Sequence, residues 1–228
     1  MKKSSLFYLL SLIGVLVIVY AIVSIKLFQK SILLEKCNNK QVQYNELILA
    51  LSDNQMEGFI NTFRRINGNL SVIDCLGDTV NLNTVIGSSL KIVFRYTELN
   101  CNECVNNELT NLKSLGGVIG NENIIIITSY SRLNDMIRFR RANQLEFPVY
   151  NIGINSLGLD VESRNIPYTF LINSDLTTHM VFAAIKEYPD LSKRYYQVLA
   201  ERFKSILSET SMVPGIPEPP SVMPPDLQ

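Results

Sequence analysis

Residues Lys91–Leu112, KIVFRYTELNCNECVNNELTNL, constrain this chain more than any other stretch. Ile92-Val93-Phe94 is the centre of a short apolar strand, and Thr97–Asn100 is a polar turn. Cys101 and Cys104 follow, two residues apart. From Val105 the apolar positions Leu109, Leu112 and Leu115 fall at three- and four-residue steps, the helical period. A strand, a turn, two cysteines and a helix place Cys101 at a helix N-terminus. There the unpaired N–H groups and the positive dipole end stabilise a thiolate. Cys104 lies one turn further in, within reach of a disulfide with Cys101 and shielded by the helix.

The rest of the chain sorts around this unit. Leu6–Ile25 is an uncharged apolar run of 20 residues. As a helix it spans about 30 Å, the thickness of a bilayer's hydrocarbon core. Lys2 and Lys3 precede it, and Val19-Tyr20-Ala21 offers small residues at a cleavage spacing. The run continues past Ala21, longer than a secretory core, so an uncleaved anchor over 1–28 is expected rather than a removed signal. A lipoprotein reading fails, because Cys37 lies beyond the apolar run. Lys2, Lys3 and the amino terminus argue for a cytoplasmic N-terminus, while Lys26, Lys30, Lys36 and Lys40 on the far side argue the reverse. Long following domains translocate largely regardless of charge, so the domain is placed outside the cytoplasm.

Residues 29–66 read as a helical stalk, divided at Asn38-Asn39 or at Ser52-Asp53-Asn54. Packing of this helix on its own domain is an equal alternative. A domain is expected over 67–209. Asn69–Leu82 reads as a hairpin around Gly77-Asp78, with Cys75 as a small filler near its turn. Ile124–Thr128 is a strand buried on both faces. Further expectations are a helix from Ser131, a strand over Phe147–Ile152 and a polar connection over Leu157–Asn165. Two strands, Tyr168–Ile172 and His179–Lys186, and a closing helix over Leu191–Ser208 complete it. Such alternation implies a central mixed sheet with helices on both faces, parallel at its centre and antiparallel at its edge. Residues 210–228 form a proline-rich tail holding six of the chain's nine prolines, expected to be disordered or extended.

Charge excludes one class of function. Lysines and arginines number 21 against 21 acids, with no basic stripe, so no nucleic-acid partner is expected. A zinc site would need two more ligands, and Cys37, Cys75 and His179 are scattered, so no metal is expected. A CxxC at a strand-to-helix junction fits a thioredoxin-like redox motif instead. Ile166-Pro167-Tyr168 adds a proline directly before an apolar strand, where a cis bond can turn backbone towards the thiols.

On these residues the chain resembles the membrane-anchored, thioredoxin-like redoxins of bacterial envelopes, over about Asn69–Leu207. The resemblance implies an α/β thioredoxin-like fold behind a transmembrane helix and stalk. It implies a thiol–disulfide oxidoreductase in the bacterial inner membrane, single-pass, its domain facing the periplasm or exterior. Cys101 would be the attacking thiol and Cys104 the resolving thiol. Pro167 would be the cis-proline of a substrate groove shared with Ile166. Apart from the Cys101–Cys104 disulfide it needs no cofactor. Its partners would be a protein disulfide and a thiol electron donor. Departures from the family pattern are Asn100, where an aromatic residue is usual, and Asn102-Glu103 between the cysteines.

Glu103 is expected to disfavour the neighbouring thiolate, raise the Cys101 pKa and favour reduction of partners. As a solvated first-turn acid it would instead only complement the helix dipole. Glu98 and Lys91 are candidates for proton transfer. Three rivals stand beside the reductase. A peroxidase is disfavoured by Glu98 where its pattern has threonine, and a copper carrier by the place of His179, the sole histidine. A non-enzymatic scaffold would use the same fold, stalk and tail as binding surfaces.

Overall fold

The computed structural model describes residues 2–211. The tail from 212 onward lies outside them. The chain divides at Ser52/Asp53 into two compact units.

Helix α1 (Lys2–Asn61) is continuous. The breaks expected at Asn38-Asn39 and Ser52-Asp53-Asn54 do not occur. Between Gly14 and Gly58 the chain has no glycine or proline, and single Asn, Ser or Asp residues each cost a helix only a fraction of a kcal/mol, about 0.7 at most. Its N-terminal part is long and apolar enough to cross a membrane, and the side chains described there are exposed.

In the second unit Phe63 takes a left-handed φ of 62° just after the helix ends. Next come β1 (Ser71–Ile73), β2 (Thr79–Asn81), the short α2 (Leu82–Ile86), β3 (Lys91–Thr97) and α3 (Asn102–Ile119). They are followed by β4 (Ile124–Ser129), α4 (Leu133–Ala142), β5 (Val149–Asn151), β6 (Tyr168–Ile172), β7 (Thr178–Ala183) and α5 (Pro189–Ser211). One seven-stranded sheet runs β2-β1-β5-β4-β3-β6-β7. β3, β4 and β5 are parallel, while β6 and β7 add antiparallel on one side and the β1–β2 hairpin on the other. This is the expected mixed sheet. Its β4-β3-β6-β7 core, with a helix leaving β3 and a helix closing after β7, is a thioredoxin-like fold.

Two apolar layers follow from strand alternation. Ile92, Phe94 and Tyr96 face one way, onto Leu109, Leu112, Leu199 and Phe203 of α3 and α5. Val93 faces the other way, into a layer with Ile66, Val72, Ile86, Ile127, Val161 and Phe170. Residues 53–66 belong to this unit. Ile66 is buried, the Ile66 amide donates to the Leu176 carbonyl at 3.0 Å, and Glu57 pairs with Arg164 at 3.0 Å. The connection over Leu157–Asn165 holds a 3-10 turn, Asp160–Arg164, whose Glu162 is buried. β7 ends at Ala183, which leaves Lys186 in the loop beyond it.

Candidate functional site

β3 ends at the turn Thr97–Asn100, and Cys101 is the N-cap residue of α3. Asn100 shapes the turn, because its Oδ1 accepts the Thr97 N–H at 2.7 Å. The same side chain donates to the Asn165 carbonyl at 2.7 Å. Where the family resemblance has an aromatic residue, this chain therefore has an amide that ties the cysteine loop to the loop before Pro167.

Both cysteines are free thiols, with Cys101 exposed and Cys104 half-buried. The Cys104 main-chain N–H and the Cys104 thiol point at the Cys101 sulfur and lower its pKa, with the Lys186 ammonium adding to the effect. Burial pushes the Cys104 thiol the other way, up to about 11, and its contact with Cys101 adds to the rise. The pair is thus asymmetric: one accessible thiol whose ionisation is favoured and one sheltered thiol whose ionisation is disfavoured.

Glu103 does not act as expected on Cys101. Its carboxylate pairs with Lys186 at 3.4 Å, so the added negative charge arrives with a cation beside it, and the Cys101 thiol is lowered rather than raised. The ion pair is exposed, more than half so on both side chains, and contributes little to stability.

A cavity of about 160 Å³ opens beside Cys104, lined by Glu103, Asn107, Glu108, Lys186 and Pro189 among others. Glu108 is only 1% exposed. Asn107 donates to its Oε1 at 3.5 Å, and its Oε2 has no hydrogen-bond partner among the described residues. Burial raises its pKa, countered by the nearby Ser192 and Tyr196 hydroxyls. A carboxyl of this kind, one helical turn from Cys104, can take and return that thiol's proton.

The other expected site residues are placed as follows. Among the described residues no peptide bond is cis, so the Ile166–Pro167 bond is trans, not cis as expected. Trans is favoured at X–Pro bonds by about 0.5–1 kcal/mol. Here Asn165, in the left-handed region at φ 52°, already supplies the turn. The Pro167 carbonyl accepts the Ala184 N–H at 2.8 Å, and Ile166 packs half-buried against the core. Glu98 accepts the N–H and hydroxyl of Ser131. Lys91 and His179 lie at the other end of the sheet, since Lys91 pairs with Ile172 and His179 with Leu171. Lys91 donates to the Glu122 carbonyl and His179 stacks edge-on against Phe63. Neither reaches the thiols. Cys75 is half-buried and its thiol donates to the Val149 carbonyl, as befits a filler. Cys37 is exposed on α1.

Neither Glu108 nor Lys186 stands out as a site residue in the sequence. The position of Glu108, four residues after Cys104 between the buried Val105 and Leu109, is a signal that was there to find. Lys186 gives none, because only the fold carries a residue from beyond β7 to the start of α3.

No family model and no curated protein matches the sequence. Solved structures are similar at low identity. One is a thiol:disulfide interchange protein from Bacteroides sp., 12% identical over 61% of this chain and 89% of that one, TM-score 0.47. Another is the bacterioferritin comigratory protein of Xanthomonas campestris, 12% identical over 64% and 97%, TM-score 0.45. A third is a secreted disulfide oxidoreductase of Mycobacterium tuberculosis, 14% identical over 57% and 96%, TM-score 0.41. The assignment of the fold rests on the strand order described above.

Proposed function

We propose that this chain is a membrane-anchored thiol–disulfide oxidoreductase that reduces disulfides of envelope proteins through Cys101 and Cys104. The observation that carries the reading is the asymmetry of the pair at the start of α3, with an exposed, lowered Cys101 thiol and a sheltered Cys104 thiol raised to about 11.

The Cys101 thiolate attacks one sulfur of a partner disulfide. That S–S bond breaks, and the departing sulfur leaves with the electron pair and takes a proton. A mixed disulfide now joins Cys101 to the partner. Cys104 gives its proton to the Glu108 carboxylate and attacks the Cys101 sulfur, and the partner's second sulfur leaves with the electron pair and takes that proton back from Glu108. The partner has gained two electrons and two protons, and Cys101 and Cys104 are joined. An external dithiol returns them to the reduced state by the same exchange in reverse.

The raised Cys104 thiol supports the reducing direction. A thiolate of high pKa is a strong nucleophile when it forms and a poor leaving group, so the Cys101–Cys104 disulfide forms readily and is reopened slowly. The lowered Cys101 thiol pulls the other way, favouring the reduced pair and setting how oxidising the couple becomes.

The apolar run in α1 supports a single-pass anchor, with Lys2 and Lys3 on the cytoplasmic side and the domain facing outward. The test uses intact spheroplasts expressing the full chain. A membrane-impermeant maleimide is expected to label Cys101 without lysis, and labelling only after lysis contradicts the orientation. The activity is tested with a Cys104→Ser variant, which is expected to accumulate mixed disulfides with envelope proteins while the wild type turns over insulin disulfides. Inert thiols in both proteins favour the scaffold.

A further inference from the structure

We propose that the buried ion pair Arg95–Glu162 positions Cys101, acting through Asn165 and Asn100; this rests on the dithiol reading above. Arg95 interrupts the apolar pattern of β3 and is only 1% exposed. Its guanidinium makes four contacts. It donates to the Tyr96 carbonyl at 2.7 Å, the Ser129 hydroxyl at 2.7 Å, the Gly153 carbonyl at 3.2 Å and Glu162 Oε1 at 3.4 Å. One planar fork thus pins the ends of β3 and β4, the chain after β5 and the 3-10 turn to one another. Lysine, with a single ammonium, cannot span that set. The second oxygen of Glu162 accepts the N–H groups of Leu157 and Gly158, both at 3.0 Å, and fixes the start of the same loop.

The 3-10 turn closes on Asn165, and from there the path to the thiol is short. Asn165 Oδ1 accepts from Thr97 Oγ1 at 3.2 Å and from Asn100 Nδ2 at 3.1 Å, while its carbonyl takes the 2.7 Å bond from the same amide. Asn100 is 7% exposed and is followed directly by Cys101. Buried ion pairs are poor sources of stability, because desolvation offsets their attraction and apolar pairs of similar volume often do as well. A buried pair that grips the loop facing the reactive cysteine is better explained by the geometry it imposes. Held in place, Cys101 keeps its sulfur under the N–H groups of α3. Released, it loses them.

The titratable and charged groups around Cys101 are Glu103 and Cys104 of α3 and Lys186 of the loop after β7, and Tyr168 of β6 lies against the ion pair. All are retained in the test variants. In the full-length protein, Arg95→Met combined with Glu162→Leu removes both charges together. Iodoacetamide alkylation of Cys101 is followed by peptide mass spectrometry across pH. The expected result is a rate about tenfold lower than wild type at pH 7 and within about twofold at pH 10, in a protein that still melts cooperatively. Asn100→Ala is expected to give the same displacement, with no further change when added to the double variant. A folded double variant whose alkylation profile superimposes on wild type overturns the proposal, and so does such a profile for Asn100→Ala. If the double variant does not fold, Asn100→Ala decides alone. A purely structural pair would lower the melting temperature and leave Cys101 untouched. Alkylation needs no turnover, so a wild type inactive on disulfides sinks the redox reading and still leaves the positioning effect measurable.

Discussion

Cys104 and Glu108 lie one helical turn apart on α3 and line the same cavity, the thiol half-buried and the carboxyl 1% exposed. In the proposed exchange the sheltered cysteine has to lose a proton before it can act, and Glu108 is the carboxyl that lines the cavity with it.

Glu108→Gln is therefore expected to slow resolution of the mixed disulfide several-fold at pH 7 while leaving first attack by Cys101 unchanged. Stopped-flow with a single-disulfide substrate separates the two steps. The substitution also has a stability signature. Burial raises the folded-state pKa of Glu108 above its unfolded value of about 4.3, so its contribution is fully present below that pH and is lost as pH rises through the folded value. The Gln variant is expected to melt higher than wild type at pH 8, with the difference vanishing near pH 4. Equal melting curves at both pH values contradict the assignment.

The charge of the Lys186 ammonium favours ionisation of Cys101. Lys186→Met is expected to lower the Cys101 alkylation rate at pH 7 by about two- to threefold, the size of an exposed charge effect. In about 1 M salt, where screening reaches to about 3 Å, the variant and wild type are expected to converge. A salt-independent difference shows that Lys186 works by packing.

The end of α1 is part of the domain. Asn54 donates to the Ala183 carbonyl, Asn61 accepts the Val161 N–H at 3.3 Å, and Ile66 is buried in the core. A chain beginning at residue 53 is expected to unfold in urea as a stable unit, while one beginning at residue 67 loses roughly 3–5 kcal/mol. That is the sum of a few hydrogen bonds at about 1 kcal/mol each and one buried isoleucine. Equal stability of the two contradicts the assignment of residues 53–66 to this unit.

Local pattern carried much of this fold into view. Ile124–Ile127 reads as a buried strand because nothing in it is polar, and Val105, Leu109 and Leu112 keep helical spacing. The cysteine pair and its place at a helix start are equally local. What the sequence withheld is long-range. The Arg95–Glu162 pair joins residues 67 apart, and the polar look of Leu157–Asn165 concealed that Glu162 turns inward to meet a buried charge. The trans bond at Pro167 escaped for a related reason. The turn it would have made is supplied by Asn165, whose left-handed backbone shows only in the folded chain.

The asymmetry of the two thiols is measured most directly by alkylating the reduced full-length protein across pH and resolving Cys101 from Cys104 by peptide mass spectrometry. Cys101 is expected to react first, with a midpoint below the ordinary thiol value of about 8.5, while Cys104 stays protected until pH approaches about 11. If Cys104 alkylates faster than Cys101, or both titrate together at the ordinary value, the roles given to these residues are wrong.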